Sequence, residues 1–344
     1  MFWALIYLGR ALLSPVAGLL VSKIGTARGT LISNLIYIPA MVALGFMSNL
    51  GMPSILTFAI CMGVSGVIYE ICYYVEFSKV KSPQHAGKEI GYMNILEKLT
   101  ITTSPIIGGL IALFFWLPVT MWIAGVLFAF SAVPLFKKGN NSETRQKISI
   151  KGFPWRTAIS SVLASSSLGF DIVATSLVWG LFITIFIFPG SGSDIYVILG
   201  ALSSLTILVT IITSLLYGKI IDNSRGGTLL GIGVISNSLV HLFRIFSLTP
   251  AGAVGVNIVN EAATTAQNMA FLRGIFDVSD ISGHRIMYLV LVTMMSNIGA
   301  MIACLVFVAC DLLLGGILGF RAFFIVASIM ILGVGAARFP VYRR

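Results

Sequence analysis

Ionisable side chains embedded in long apolar runs are where this sequence has the means to do chemistry. Arg10, Glu70, Glu97, Lys98, Asp171 and Glu261 lie well inside such runs, and Glu76, Arg244, Asp311 and Arg321 lie nearer their ends, where they can snorkel to water. A charge in hydrocarbon costs on the order of several kcal/mol unless it is paired or hydrated, so each inner one marks a partner, a wet path or a site. Glu261 has the richest surroundings. Asn257, Glu261, Thr264 and Asn268 follow at steps of four, three and four, sharing one helical face that Asn260 and Gln267 widen. A stripe so polar cannot face acyl chains; it lines a solute path or hydrogen-bonds another helix. Asp171 has Ser160, Ser167 and Thr175 on roughly its face, and Glu70 follows Gly63 and Gly66 with Tyr69, Tyr73 and Tyr74 close by. Intramembrane carboxylates of this kind bind protons, cations or polar solutes. Arg10 either meets an anionic solute or pairs with a buried acid, and the cost of an unpaired charge favours the pair. Adjacent Glu97 and Lys98 point apart and read as partners of other helices. His241, three residues before Arg244, reads as interfacial.

These groups need membrane-spanning helices to hold them. The 344 residues are 57% hydrophobic and 10% charged, with mean hydropathy +0.99; a soluble domain carries about a quarter charged residues. Hydropathy divides the chain into eleven spans, near 1–21, 30–49, 54–77, 89–114, 116–136, 156–188, 194–218, 227–247, 250–272, 285–310 and 314–337. About 20 residues cross the hydrocarbon, and the run 156–188 is long enough to tilt or project into water. The loops near 23–28, 79–88, 137–156, 219–225, 273–285 and 338–344 hold eighteen of the 22 Lys and Arg, and the opposite connections hold none. One-sided charge of this kind predicts that the basic loops are cytoplasmic, with the carboxyl end inside and Met1 outside a plasma or inner membrane. The net charge of +10 thus reports topology, and no nucleic-acid partner is expected. Cys61, Cys72, Cys304 and Cys310 lie in apolar runs without a CxxC pair, so neither a disulfide framework nor a metal site is expected. No phosphate-binding Gly-x-x-x-x-Gly-Lys-Ser/Thr loop occurs, and no cofactor is expected.

The chain contains an internal repeat. Ser14 to Gly25 recurs in outline 200 residues later as Ser214 to Gly226, each copy ending a span at a basic turn and each followed by Gly-Thr-Leu, at Gly29 to Leu31 and Gly227 to Leu229. The basic stretch 137–155 lies between the copies. This divides the chain into an amino-terminal half of five helices (1–136), a cytoplasmic linker (137–155) and a carboxyl-terminal half of six (156–344), a transporter architecture. The turn resembles the Gly-x-Leu-x-Asp-x-x-Gly loop signature of the major facilitator superfamily, found after its second and eighth helices. The second copy keeps Gly218 and Asp222; the first keeps Gly18 and Gly25 but has Ser22 where the acid belongs. Ser104-Pro105-Ile106-Ile107-Gly108-Gly109 resembles the Pro-x-x-Gly-Gly segment of the family's fifth helix, where the proline permits a bend and the glycines admit a close neighbour.

The resemblance implies an all-α, two-bundle transporter fold whose spans correspond to the family's second to twelfth helices. An outside amino end and an odd span count lead to the expectation that one helix precedes Met1, the alternative being a true eleven-span protein. The same alignment implies that Glu70, Asp171 and Glu261 sit on central helices, and that the glycine turns and the proline–glycine segment serve conformational change. The expected function is secondary transport of a small solute by alternating access, proton-coupled and leaning to efflux, by a monomer in the lipid bilayer that is not an enzyme. The rival readings are a transporter-shaped scaffold or receptor and a polytopic membrane enzyme. An enzyme needs an acid, His or metal constellation at one interface, and the loops offer only scattered Lys, Arg and Ser.

Overall fold

The computed structural model describes residues 1–115, 117–137, 148–149, 151–189 and 194–342. They form eleven long helices, with no strand among the described residues. The first set comprises α1 (Phe2–Ile24), α2 (Thr26–Gly45), α3 (Met52–Val80), α4 (Ala86–Phe114) and α5 (Leu117–Lys137). The second comprises α6 (Trp155–Ile187), α7 (Asp194–Ile220), α8 (Gly226–Arg244), α9 (Pro250–Ile281), α10 (Arg285–Leu314) and α11 (Gly316–Ile331). Short 3-10 turns at Leu332–Ala336 and Pro340–Tyr342 follow. Most of the stretch 137–155 lies outside the described residues.

The helices are bounded as the sequence dictates. Gly25 adopts φ +84 between α1 and α2, a conformation that disfavours any side chain. At the start of α9, Pro250 occupies the first turn and the Thr249 hydroxyl accepts the Gly252 N–H at 3.1 Å, satisfying a free helix-end amide. By length and composition seven helical segments among the described residues can cross a bilayer, one of which, Thr206–Arg244, runs through two helices. α9 is not among them, because its amides and acids lower the hydropathy of a 32-residue helix. Large apolar side chains such as Leu12, Ile60, Ile232 and Ile329 point outward and exposed, as a lipid-facing surface requires.

α6 is one long helix. Its α-helical turns widen into π-helix at Ala174–Val178 and again at Ile183–Ile187, and the first of these begins three residues after Asp171. Wide turns of this type re-aim side chains and recur at functional positions.

The two sets meet along two seams, α1 against α10 and α4 against α7, with α3 and α9 also in contact. At the basic-loop end they share an apolar cluster that includes Val75, Ile90, Phe153, Ile221, Phe276 and Tyr288. Towards the other end Trp179, Phe182, Phe320, Phe323 and Phe324 build an aromatic core inside the second set. Small residues allow the closest approaches. On α6 and α10, Gly169 faces the Ser296 carbonyl and Gly299 faces the Ser166 carbonyl, leaving no room for a Cβ at either position. Without water, tight packing of this sort carries much of the helix association in a membrane.

Gly299→Leu therefore forces two backbones apart. It is expected to lower the thermal unfolding midpoint in detergent, by about 3 kcal/mol of stability or more. Gly231→Ala, where nothing lies within 4 Å of the new methyl, is expected to leave the midpoint unchanged or raise it.

Candidate functional site

Among the described residues, charged side chains singled out above form three clusters in the interior. The first belongs to α1 and α3. The Arg10 guanidinium donates to Glu70 at 2.8 Å, each side chain about one-fifth exposed. Its path is made by Gly63 and Gly66, above which the arginine stem and head lie. The Arg10 backbone carbonyl in turn accepts the Ser14 hydroxyl.

The second cluster lies wholly within the second set. Asp171, 5% exposed, accepts hydrogen bonds from Asn237 at 2.8 Å and from Thr175 at 3.3 Å, and its Oδ1 lies 2.8 Å from His241 Nε2. His241 Nδ1 lies 2.9 Å from Arg244 Nη1. A guanidinium can only donate, so Nδ1 accepts and the imidazole proton sits on Nε2, donating to Asp171. Arg244 also donates to Asn260 at 2.9 Å and to Thr175 at 3.3 Å, and it lies over the Trp179 ring at 5.1 Å and the Phe324 ring at 5.9 Å. His241 and Arg244 are both 0% exposed. The interfacial, snorkelling placement expected for them is thus corrected: Asp171 supplies a countercharge and the rings supply π faces, so the arginine is held indoors. Their interior face was legible, since Asn237, His241 and Arg244 follow at steps of four and three on α8.

The third cluster crosses between the sets. Lys98 on α4 pairs with Glu261 on α9 at 2.8 Å, and the Thr210 hydroxyl on α7 donates to the same carboxylate at 2.8 Å. Glu261 is 5% exposed, while the Lys98 side chain is 31% exposed. The face proposed for α9 divides. Asn257 accepts the Trp179 indole N–H at 2.7 Å, Thr264 donates back to the Asn260 carbonyl, and Asn268 is exposed. Asn260 and Gln267 turn into the second cluster, Gln267 accepting from Asn237 at 3.2 Å. Glu97 is exposed.

The repeated turns behave differently. Asp222 reaches the start of α4 in the other set, where Oδ1 accepts the Gly87 N–H at 2.7 Å and Oδ2 accepts the Lys88 N–H at 3.3 Å. A carboxylate there satisfies free amides and complements the helix dipole. Gly218 and Gly87 permit this contact, since a Cβ on Gly218 would meet the Gly87 carbonyl oxygen at 2.9 Å. Ser22 instead donates to the Leu19 carbonyl of its own helix, and Gly18 packs against Val290 and Ile148. Between the ends of α3 and α9 the join is ionic: Asp280 pairs with Lys81 across the sets and with Arg285 in its own set. Burial raises the Tyr342 phenol above its ordinary range, and its hydroxyl donates to the Ala270 carbonyl at 2.8 Å, tying the tail to α9. Of the proline–glycine segment, Gly108 accepts the Thr120 hydroxyl of α5 at 3.4 Å; the side-chain surroundings of Pro105 and Gly109 lie outside the described residues. No cluster of His, Cys, Asp and Glu able to hold a metal occurs among the described residues.

The sequence profile of the Major Facilitator Superfamily matches residues 2–259. No curated protein matches the chain significantly. Solved structures of similar fold include the human organic anion transporter MFSD10 (TETRAN), with TM-score 0.70, 11% identity, and coverage of 96% of this chain and 82% of that one. The E. coli fucose:proton symporter FucP gives TM-score 0.69 at 14% identity over 98% and 90%. A bacterial homologue of the iron transporter ferroportin, in an outward-facing state with soaked iron, gives 0.67 at 11% over 98% and 88%. Identities this low speak for the fold alone.

Arg244→Lys keeps the charge but loses the planar fork and most of the ring contact. It is expected to destabilise the chain by about 3 kcal/mol, read as a lower unfolding midpoint with altered tryptophan fluorescence from Trp179. Asp222→Ala is expected to loosen the α4–α7 seam. With Ile90→Cys as reporter, a side chain 1% exposed, maleimide labelling at position 90 should rise several-fold, read by peptide mass spectrometry.

Proposed function

We propose, from the premise that this chain belongs to the major facilitator superfamily, that it is a proton-coupled secondary transporter of a small solute. In this reading the first five helices and the last six form two halves that rock about a midplane site, with the basic loops in the cytoplasm. The observation that carries it is the Lys98–Glu261 pair with Thr210, the interior charge cluster that joins the two sets. Any rocking that opens the α4–α7 seam must separate Lys98 from Glu261. A bare carboxylate left there is costly, and a proton taken from water removes that cost. Protonation of Glu261 thus becomes linked to which side is open. Arg10 and Glu70, a partly exposed pair on α1 and α3, serve as solute contacts, with Asn257, Thr264 and Asn268 along α9. Asp171 serves to hold the second half together, because its hydrogen-bond partners all lie within that half. The proline–glycine segment of α4 favours efflux as the direction. The chain's place in a transporter family favours this reading over an enzyme or a scaffold.

The test uses the purified full chain. The three similar structures carry organic anions, fucose and iron in their descriptions, and these classes form the first solute panel, screened by ligand-dependent thermal stabilisation. A solute that stabilises is then followed in proteoliposomes under an imposed pH gradient. Glu261→Gln is expected to retain solute exchange at equal pH while losing at least tenfold in gradient-driven accumulation. Accumulation at the wild-type level in that variant would show that Glu261 does not couple protons. Loss of exchange together with accumulation would assign it to binding or folding instead.

A further inference from the structure

A cavity of ≈ 840 Å³ lies at the basic-loop end, on the side of the second set where α6 meets the tail after α11. Arg156, in the first turn of α6, and Arg338, just beyond the 3-10 turn, both line it. Both are exposed, and no carboxylate is recorded against either among the described residues. The Arg338 N–H donates to the Ser160 hydroxyl at 3.2 Å, which fixes the tail on α6 and holds the two arginines at one mouth. Deeper in, Ile159 and Leu163 form an apolar wall, 40% and 53% exposed. The floor closes where Gly333 packs against the Ser167 side chain.

The dimensions suit one class of molecule. From Arg156 to Ser167 the helix rises about 16 Å, close to half of the roughly 30 Å hydrocarbon thickness. The groove therefore starts at the membrane interface with two cations that meet no carboxylate among the described residues, and it runs down an oily wall towards the midplane. Trp155, 43% exposed beside the mouth, is the kind of residue that settles at headgroup depth. Two cations above an apolar slot complement an amphiphile with an anionic head, and basic pockets between transmembrane helices hold such headgroups.

We propose that this groove binds one anionic phospholipid, its phosphate between Arg156 and Arg338 and one acyl chain along Ile159, Leu163 and Ala336. The site is separate from the Lys98–Glu261 cluster and does not depend on transport. Native mass spectrometry of the detergent-solubilised full chain tests it, by titration with phosphatidylglycerol, phosphatidylcholine and inorganic phosphate. Phosphatidylglycerol is expected to be retained at one site more tightly than phosphatidylcholine, and inorganic phosphate is expected not to compete. Arg156→Gln with Arg338→Gln should weaken phosphatidylglycerol roughly tenfold. Lys23→Gln with Lys88→Gln, an equal charge change elsewhere, should leave it unaltered. Ala336→Trp keeps both arginines and fills the exposed slot, and it too should displace the lipid. Equal retention of both lipids would overturn the proposal, as would equal weakening by the two charge variants. Competition by inorganic phosphate would reduce the site to a phosphate contact without a lipid, and undiminished binding in Ala336→Trp would remove the acyl seat.

Discussion

Inside a bilayer an ionised side chain has no water to turn to, so its only inexpensive partner is another group of the protein. That constraint decides which helices of this chain must touch. Arg10 brings α1 to α3 through Glu70, and Lys98 brings α4 to α9 through Glu261. Arg244 ties α8 to α9 through Asn260 and, through His241, to Asp171 on α6. Apolar surface is plentiful on every helix and discriminates poorly between neighbours, because lipid is as apolar as leucine. Charges and glycines therefore supply the specificity, and leucine and isoleucine supply the surface.

Much of this was legible in one dimension. Run length and hydropathy set out eleven helices, and the longest run, near 156–188, is the single helix α6 (Trp155–Ile187). The repeated turn pointed to Asp222, which caps α4, and to the substitution at Ser22, which donates to the Leu19 carbonyl of its own helix. What the sequence withheld was partnership. Lys98 and Glu261 stand 163 positions apart, and no helical period connects them. Arg244 was misjudged for a physical reason. Its position near a helix end suggests an escape to water, but Trp179, Phe324 and Asp171 together offer a better-matched interior. A polar face at steps of four and three on α8 was the available signal, and it outweighs distance from the helix end.

The basic-loop end is asymmetric in the way it closes. On one side a single carboxylate meets the free amides of a helix start, a contact made of fixed backbone dipoles. On the other side Asp280 sits between Lys81 and Arg285 near the surface, where solvent and salt screen the attraction. The two fastenings answer to different conditions. Ionic strength bears on the Asp280 join far more than on the Asp222 cap, whose amides cannot move without unwinding the first turn of α4.

The three interior clusters also differ in what a conformational change would do to them. Asp171 is bound by Asn237, His241 and Thr175, all on helices of one set, so rigid rotation of that set leaves every bond intact. Arg10 and Glu70 are likewise internal to the other set. Glu261 is shared: Thr210 belongs to its own set and Lys98 to the opposite one. Only a group divided in this way can sense relative motion of the sets, because only its surroundings change when they move. A ligand or proton shifts a two-state equilibrium by its differential affinity for the two states and by nothing else. Under the proposed rocking, a buried carboxylate such as Asp171, whose partners here share one set, keeps the same surroundings in both states. In the proposed scheme depth of burial does not separate Asp171 from Glu261, both 5% exposed; what separates them is whether their partners travel together.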